Sequence, residues 1–368
     1  MPSPTIAPRR LANQHLTGKP FDRPEDVVGW FGAVQAQDYP GAKWAIAQRT
    51  RAISDAAIDQ VFADGAILRT HVMRPTWHFV RRDDIRWMLE LTAPRVHAAN
   101  AYSYRKFELD HSVFRGSNRA VATALAGRGQ LTRTECARVL HEAGIAANGL
   151  RLGYLMMRAE LDGVICSGAR RGKQFTYALL DERAPKARKL ERNEALAELA
   201  SRYFTSHGPA LLQDFVWWSG LTAADAKHGI RLASNLVEEV IGGKTYWDGS
   251  SPVRPTARVP TGHLLPNYDE FLIAYRDHSP NFRGPLPVDA AALNQMLARH
   301  IVVVDGQVVG GWRSAAEHKA LRIDATLLVE LNRAERACLQ TAGERYGRFL
   351  GTAVELVMRR QLVGTSAL

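Results

Sequence analysis

Apolar positions at helical spacing alternate along this chain with short runs of two-residue period, and their order repeats. The clearest instance is central. Residues 132–143, TRTECARVLHEA, put a Thr ahead of a helical pattern, and Gly144 offers its stop. In NGLRLGYLMMRAELDG (148–163), Leu152, Leu155, Met156, Ala159 and Leu161 predict a second helix. VICSGARRGKQFTYAL (164–179) then reads as strand, basic Gly-rich tip and strand. Helix, helix and two-stranded wing is the winged-helix order, in which the second helix lies near a groove and the wing touches backbone.

A second unit follows a long helix expected over 189–206. GPALLQDFVWWSGL (208–221) predicts a helix from Pro209 to Gly220, TAADAKHGIRLASN (222–235) another behind Thr222, and LVEEVIGGKTYWDG (236–249) a hairpin about Gly242-Gly243. At the N-terminus, 23–38 reads as a helix with Val27, Val28, Phe31 and Val34 on one face. Residues 54–63 read as a capped helix and 67–80 as a wing around Arg74-Pro75. Segment 82–127 reads as mostly helical. The last part differs: 250–260 is Pro-rich and extended, 301–312 a hairpin turning at Asp305-Gly306, 320–331 a strand and 332–351 a helix. The expected fold class is α+β: three tandem winged-helix units (1–95, 96–188, 189–250) and a C-terminal β-barrel-like domain (251–368).

Length and composition narrow the partners. The 368 residues are 46% apolar, enough for several cores, without an uninterrupted apolar run of spanning length. The N-terminus, MPSPTIAPRRLANQ, has no apolar stretch of signal type, so the expected place is the cytoplasm, with the nucleoid. Cys136, Cys166 and Cys338 are too few and too scattered for a disulfide framework or a zinc site. The net charge of +11 points to a polyanion, and 39 of the 48 basic residues are arginine. Codon bias in a GC-rich genome explains the arginine preference equally well; the charge itself favours nucleic acid. Arg151 on the groove-side helix and Arg170, Arg171 and Lys173 at the wing tip are candidate DNA contacts. The bland alternative for the tip is a solvated hairpin.

Standard cofactor chemistry has no signature here. The twelve histidines form no HxxxH pair, and no phosphate loop, dinucleotide glycine pattern or Gly-x-Ser-x-Gly elbow occurs, so no metal and no cofactor are expected. One segment, Gln35-Ala36-Gln37-Asp38-Tyr39-Pro40, stands at the expected end of the first helix. There, two-residue spacing can aim both amides into one cleft. Amides hold a water and stabilise a developing cation, but take up no proton near neutral pH. On sequence physics alone, two exposed glutamines capping a helix is the better reading. On the following strand Arg74, Thr76 and His78 share a face while Trp77 and Phe79 point to the core. That polar face either lines a DNA channel near Gln35, with His71 close by, or bonds to neighbouring loops. Asn267 to Glu270 reads as a turn without a role.

Four segments carry a family resemblance: QAQD at 35–38, MRPTWHFV at 73–80, LLPNYDEFLIAYRD at 264–277 and VVVDGQVVGGWR at 302–313. With the arginine-rich wing in register, the chain resembles the winged-helix superfamily that includes the AlkZ and YcaQ DNA glycosylases. The resemblance implies a C-shaped body of three winged-helix units around duplex DNA, with a C-terminal β-barrel. It also implies a catalytic Gln, aliphatic, Gln-or-Asp motif, met here by Gln35-Ala36-Gln37. The two glutamines would flank C1′ of the lesion nucleotide. The implied activity is that of a monofunctional, metal-independent DNA glycosylase on N3- or N7-alkylated purines in duplex DNA, including bulky adducts and interstrand crosslinks, in repair or self-resistance. A monomer with an open cleft is expected. The competing expectation is a non-enzymatic winged-helix transcription regulator.

Overall fold

The computed structural model describes residues 6–251, 260–282, 299–317 and 320–360. Most of the Pro-rich stretch at 250–260 thus lies outside the described residues.

After a short helix α1 (Ile6–Asn13), the first unit departs from expectation. Helix α2 (Pro24–Phe31) does not continue to residue 38. It stops at Gly32, whose φ of +85° carries the chain out of the helix. Strand β1 (Ala33–Gln35) follows, then an unexpected helix α3 (Tyr39–Ala47). Pro40 opens α3 instead of closing its predecessor, because the first helical turn needs no backbone N–H. Helix α4 (Asp55–Ala63), capped by Ser54, leads into the hairpin of β2 (Ile67–Val72) and β3 (Arg74–Arg81). The sheet order is β1-β3-β2.

That order of helix, strand, two helices and hairpin, with the first strand bonded to the last, recurs. Helices α5 (Ile85–Lys106) and α6 (His111–Leu125) precede β4 (Leu131–Thr132), α7 (Arg133–Glu142), α8 (Gly149–Leu161), β5 (Ile165–Ser167) and β6 (Thr176–Leu179). The sheet order is β4-β6-β5. Thr132 and Glu135 close a reciprocal cap on α7. After α9 (Leu180–Arg183) and α10 (Arg192–His207), Ala210 exchanges hydrogen bonds with Trp247 in place of a first strand. Because this bridge occupies the start of 208–221, the helix expected from Pro209 begins only at Leu212. It is α11 (Leu212–Ser219), followed by α12 (Ala223–Leu232) and the hairpin β7 (Leu236–Ile241) and β8 (Lys244–Gly249).

The C-terminal part holds β9 (Gly262–Leu265), α13 (Glu270–Ile273), β10 (His300–Val304), β11 (Gln307–Glu317), β12 (Ala320–Leu327), α14 (Arg333–Leu350) and β13 (Ala353–Arg360). The strands form one five-stranded sheet in the order β9-β10-β11-β12-β13, antiparallel except for the last pair. Helix α14 packs on both edge strands, so the sheet curls around it as a half-barrel. Among the described residues the two edges do not pair.

Packing places the first unit at the centre. One face of its sheet (Ala33, Leu68, Val80) joins a core with α5, α10 and α11. The other (Val34, Ile67, Phe79) joins a core with the half-barrel. The middle unit has a core of its own around Leu140, Leu155 and Ile165. A sheet buried on both faces cannot shift register without exposing one of two cores, which makes it a rigid mount for a site.

Candidate active site

The Gln35-Ala36-Gln37 segment runs off the end of β1 and is pinned through its backbone at three points. The Gln35 N–H donates to Oε1 of Glu270 at 2.8 Å. The Ala36 N–H donates to the Trp77 carbonyl at 2.8 Å. The Ala36 carbonyl accepts from Nε of Arg69 at 3.0 Å. Burial pushes the Arg69 guanidinium down to about 10, which leaves it charged at neutral pH.

The two amides differ in setting. Gln35 is 7% exposed, and its Oε1 accepts from Nη2 of Arg74 at 3.1 Å. Gln37 is exposed. Arg74 comes from the tip of the β2–β3 hairpin, where Met73 takes a φ of +63° and the tip lies against the end of α11. A Cβ on Gly220 would stand 2.3 Å from the Met73 carbonyl oxygen, so only glycine permits this approach.

Glu270 anchors the buried side of the site. Its Oε2 accepts from the Trp218 indole at 2.9 Å and lies 3.4 Å from Nε2 of His207. Burial works to raise this carboxyl, but the adjacent His207 ring and the Gln35 amide outweigh it and hold the group below its ordinary value. The stretch from Asn267 to Glu270 therefore is no idle turn. Asp269 is also bound in, gripping both Nη atoms of buried Arg49 at 2.8 and 2.9 Å.

Arg74, Thr76 and His78 do share a strand face, and in the register Gln35 lies opposite His78. His78 is fully buried, however, and is no surface contact for DNA. Burial, with the Arg74 charge, pushes it down to about 3, so it stays neutral. On this face Nε of Arg74, Oγ1 of Thr76 and Nε2 of His78 are buried without a protein partner. Buried polar atoms of this kind normally bind ordered water. His71 and Trp77 pair on the opposite face of the hairpin, the face that buries Phe79 farther along β3. Trp77 is only half-buried and packs on His71, with ring centroids 4.4 Å apart, while His71 bonds to buried Glu160.

Trp77 instead faces a partly enclosed cavity of about 380 Å³ between the first and middle units. Gln37, Tyr154, Met156, Met157 and Tyr177 line it as well, whereas Gln35 does not.

The basic candidates divide. Arg151 gives its guanidinium to the carbonyls of Ala146 and Phe107, which ties α8 to the loop before α6; its fork is committed inside the protein. Arg170 folds back over Tyr39, 4.8 Å from the ring centroid, and 3.8 Å from Asp59. Arg171 is exposed but paired with Glu135 at 2.8 Å. Lys173 is exposed at the same tip. No group of three His, Cys, Asp or Glu side chains able to hold a metal occurs among the described residues. Nor is any described helix long and apolar enough to cross a membrane.

The model of the DNA glycosylase AlkZ-like family matches residues 28–349, nearly the whole of this architecture. The chain belongs to that family. It is 25% identical over 325 residues to an interstrand DNA cross-link repair glycosylase of Streptomyces sahachiroi, covering 82% of this chain and 85% of the relative. The solved structure of the Streptomyces sahachiroi DNA glycosylase AlkZ superposes with a TM-score of 0.76 at 21% identity, over 97% of this chain and all of that one. The mixed α/β fold is thus shared. Of the residues that matter locally, Glu270 carries no role in the sequence reading, and Trp77, expected in the core, lines the cavity instead. Glu270 lies within one of the four resembling segments, but nothing local to it announces a partner at Gln35.

Proposed function

We propose that this chain is a monofunctional glycosylase that hydrolyses the N-glycosidic bond of N3- or N7-alkylated purines in duplex DNA. Gln37 and Gln35 position the water and stabilise the cationic sugar. Alkylation has already made the purine a good leaving group, so the transition state calls for oriented dipoles more than for a proton donor. The observation that carries the reading is the pinned Gln-Ala-Gln backbone beside a row of buried, unpartnered polar atoms. The first fixes the backbone that carries the amides, and the second supplies places for water. The reading calls on no metal, no cofactor and no Schiff-base lysine, and its product is an abasic site in an uncut strand.

The three repeats of helix, strand, two helices and hairpin act in this proposal as winged-helix units bounded near residues 95, 188 and 250. They hold duplex DNA as a monomer in a C-shaped body, in the cytoplasm at the nucleoid. The relative's name extends the substrate range to interstrand crosslinks, in general repair or in self-resistance. The regulator alternative leaves the rigidly mounted glutamine pair without a task.

The test is release of 7-methylguanine from a duplex bearing one N7-methylguanine, with alkali revealing abasic sites. Gln37→Ala is expected to slow release about 100-fold or more with duplex binding kept, the scale of losing one preorganised dipole. Retained release in both Gln37→Ala and Gln35→Ala would remove the amides from the chemistry. A wild type that binds duplex but spares N7-methyl and crosslinked purines alike would return the chain to the regulators.

A further inference from the structure

We propose that the cavity between the first and middle units receives the target purine itself, turned out of the duplex. This rests on the glycosylase reading, concerns purines alkylated on one strand only, and for these replaces the open cleft expected from the sequence. The cavity, at about 380 Å³, is of small-molecule size, within the usual range of about 300–1,000 Å³. Its walls match a flat heteroaromatic cation: the rings of Trp77, Tyr154 and Tyr177 and the thioethers of Met156 and Met157. An N7- or N3-alkylated purine carries positive charge, and aromatic faces and polarisable sulfur attract such a ring. Gln37 stands in the same lining, so a base seated there presents its glycosidic bond to the exposed amide.

Gly153 is the most specific sign. It lies inside the 13-residue helix α8, where glycine costs about 1 kcal/mol against alanine. A close-packed helix or strand would explain such a glycine, but none approaches. A Cβ here would meet only Nη2 of Arg133, the far end of a flexible side chain, at 3.3 Å. Gly153 lines the cavity, and what its missing side chain preserves is the empty volume. Arg133, the cation of this lining, bonds weakly to the Gly149 carbonyl at 3.3 Å and is placed for the phosphate of the extruded nucleotide.

Filling the cavity from α8 tests this. Gly153→Leu is expected to slow release of 7-methylguanine about tenfold or more, and Gly153→Ala less, with affinity for undamaged duplex kept. Free 7-methylguanine, titrated by calorimetry, should bind wild type and not Gly153→Leu. Should Leu disturb folding, the single methyl of Gly153→Ala, which favours the helix, carries the comparison. A folded Gly153→Leu that releases base at the wild-type rate overturns the proposal. So does slowing confined to a duplex with a naphthylmethyl N7 adduct, which would assign the cavity to the adduct. If wild type releases no base from any alkylated duplex, the glycosylase reading fails alone; binding of the free base, lost in Gly153→Leu, would still uphold the cavity, and no binding would sink it.

Discussion

Glu270 accepts the backbone N–H of Gln35 across 235 residues of sequence, at 2.8 Å, in a region where the carboxylate is 1% exposed. The C-terminal part thereby sets the position of a catalytic candidate at the N-terminal end. Glu270→Ala strips the acceptor from two buried donors, Gln35 N and Trp218 Nε1. Each buried donor left without an acceptor costs about 1–3 kcal/mol. Glu270→Gln keeps one acceptor and should cost less. Urea unfolding measures both. If Glu270 positions Gln35, Glu270→Gln lowers the rate of base release at saturating duplex more than it weakens binding. Equal effects on both would leave it a stability residue only.

The basic residues invite a contrast in salt dependence. Lys173 is exposed between β5 and β6, whereas the Arg151 guanidinium is bound to internal carbonyls. Lys173→Glu is expected to weaken duplex binding and to flatten the plot of log affinity against log salt by about one unit. Arg151→Ala should leave that slope unchanged and lower the unfolding midpoint instead. Duplex titrations at several salt concentrations, beside thermal melts, separate the two. An unaltered slope in Lys173→Glu would take that hairpin off the DNA.

How far the sequence carried depended on how much of each signal was local. The cap at Thr132, the glycine at 144 and the Asp305-Gly306 turn are self-contained, and the two helices and two strands between 132 and 179 and the hairpin at 301–312 stand where the pattern predicts them. The first unit was misread because VVGWFGAVQ keeps a helical spacing of apolar residues through Gly32, and β1 has only three residues, too few to display a two-residue period. Trp77 alternates correctly with its neighbours and shares the face of buried Phe79, but at its end of the strand that face opens on the cavity instead of the core. Glu270 and the Gln35 amide had no mutual trace, because a contact over such a span leaves none in either segment. The glutamine pair itself was legible only through resemblance.

Amide catalysis makes a prediction about pH. Neither Gln35 nor Gln37 titrates, and His78, pushed down to about 3, stays neutral. Release of base from an N7-methylguanine duplex should therefore vary little between about pH 5 and 7, the interval in which an ordinary histidine changes charge. Single-turnover rates across this interval provide the check. A bend near the histidine range would place proton transfer on a side chain, and His71, bonded to Glu160 in the cavity wall, would be the first to replace.

Glu135 links the β5–β6 hairpin to acid stability. Its carboxylate accepts from the Thr132 backbone N–H and hydroxyl, and then from Arg171 of that hairpin, which together hold it down to about 2 against an ordinary 4.5. The folded state therefore binds fewer protons here than the unfolded state does. Its contribution is complete above about pH 4.5 and is lost as pH falls toward about 2. Glu135→Gln removes that ionisation, so its melting temperature should lie below that of wild type at pH 7, and the gap should narrow steadily from pH 5 to pH 3. Since Arg171 loses its charged partner in the same variant and keeps only the Gln130 carbonyl at 2.9 Å, its guanidinium should also bind duplex DNA slightly more tightly at neutral pH. A gap that stays constant on acidification would mean that the cap works through its shape, with the charge on Glu135 irrelevant to it.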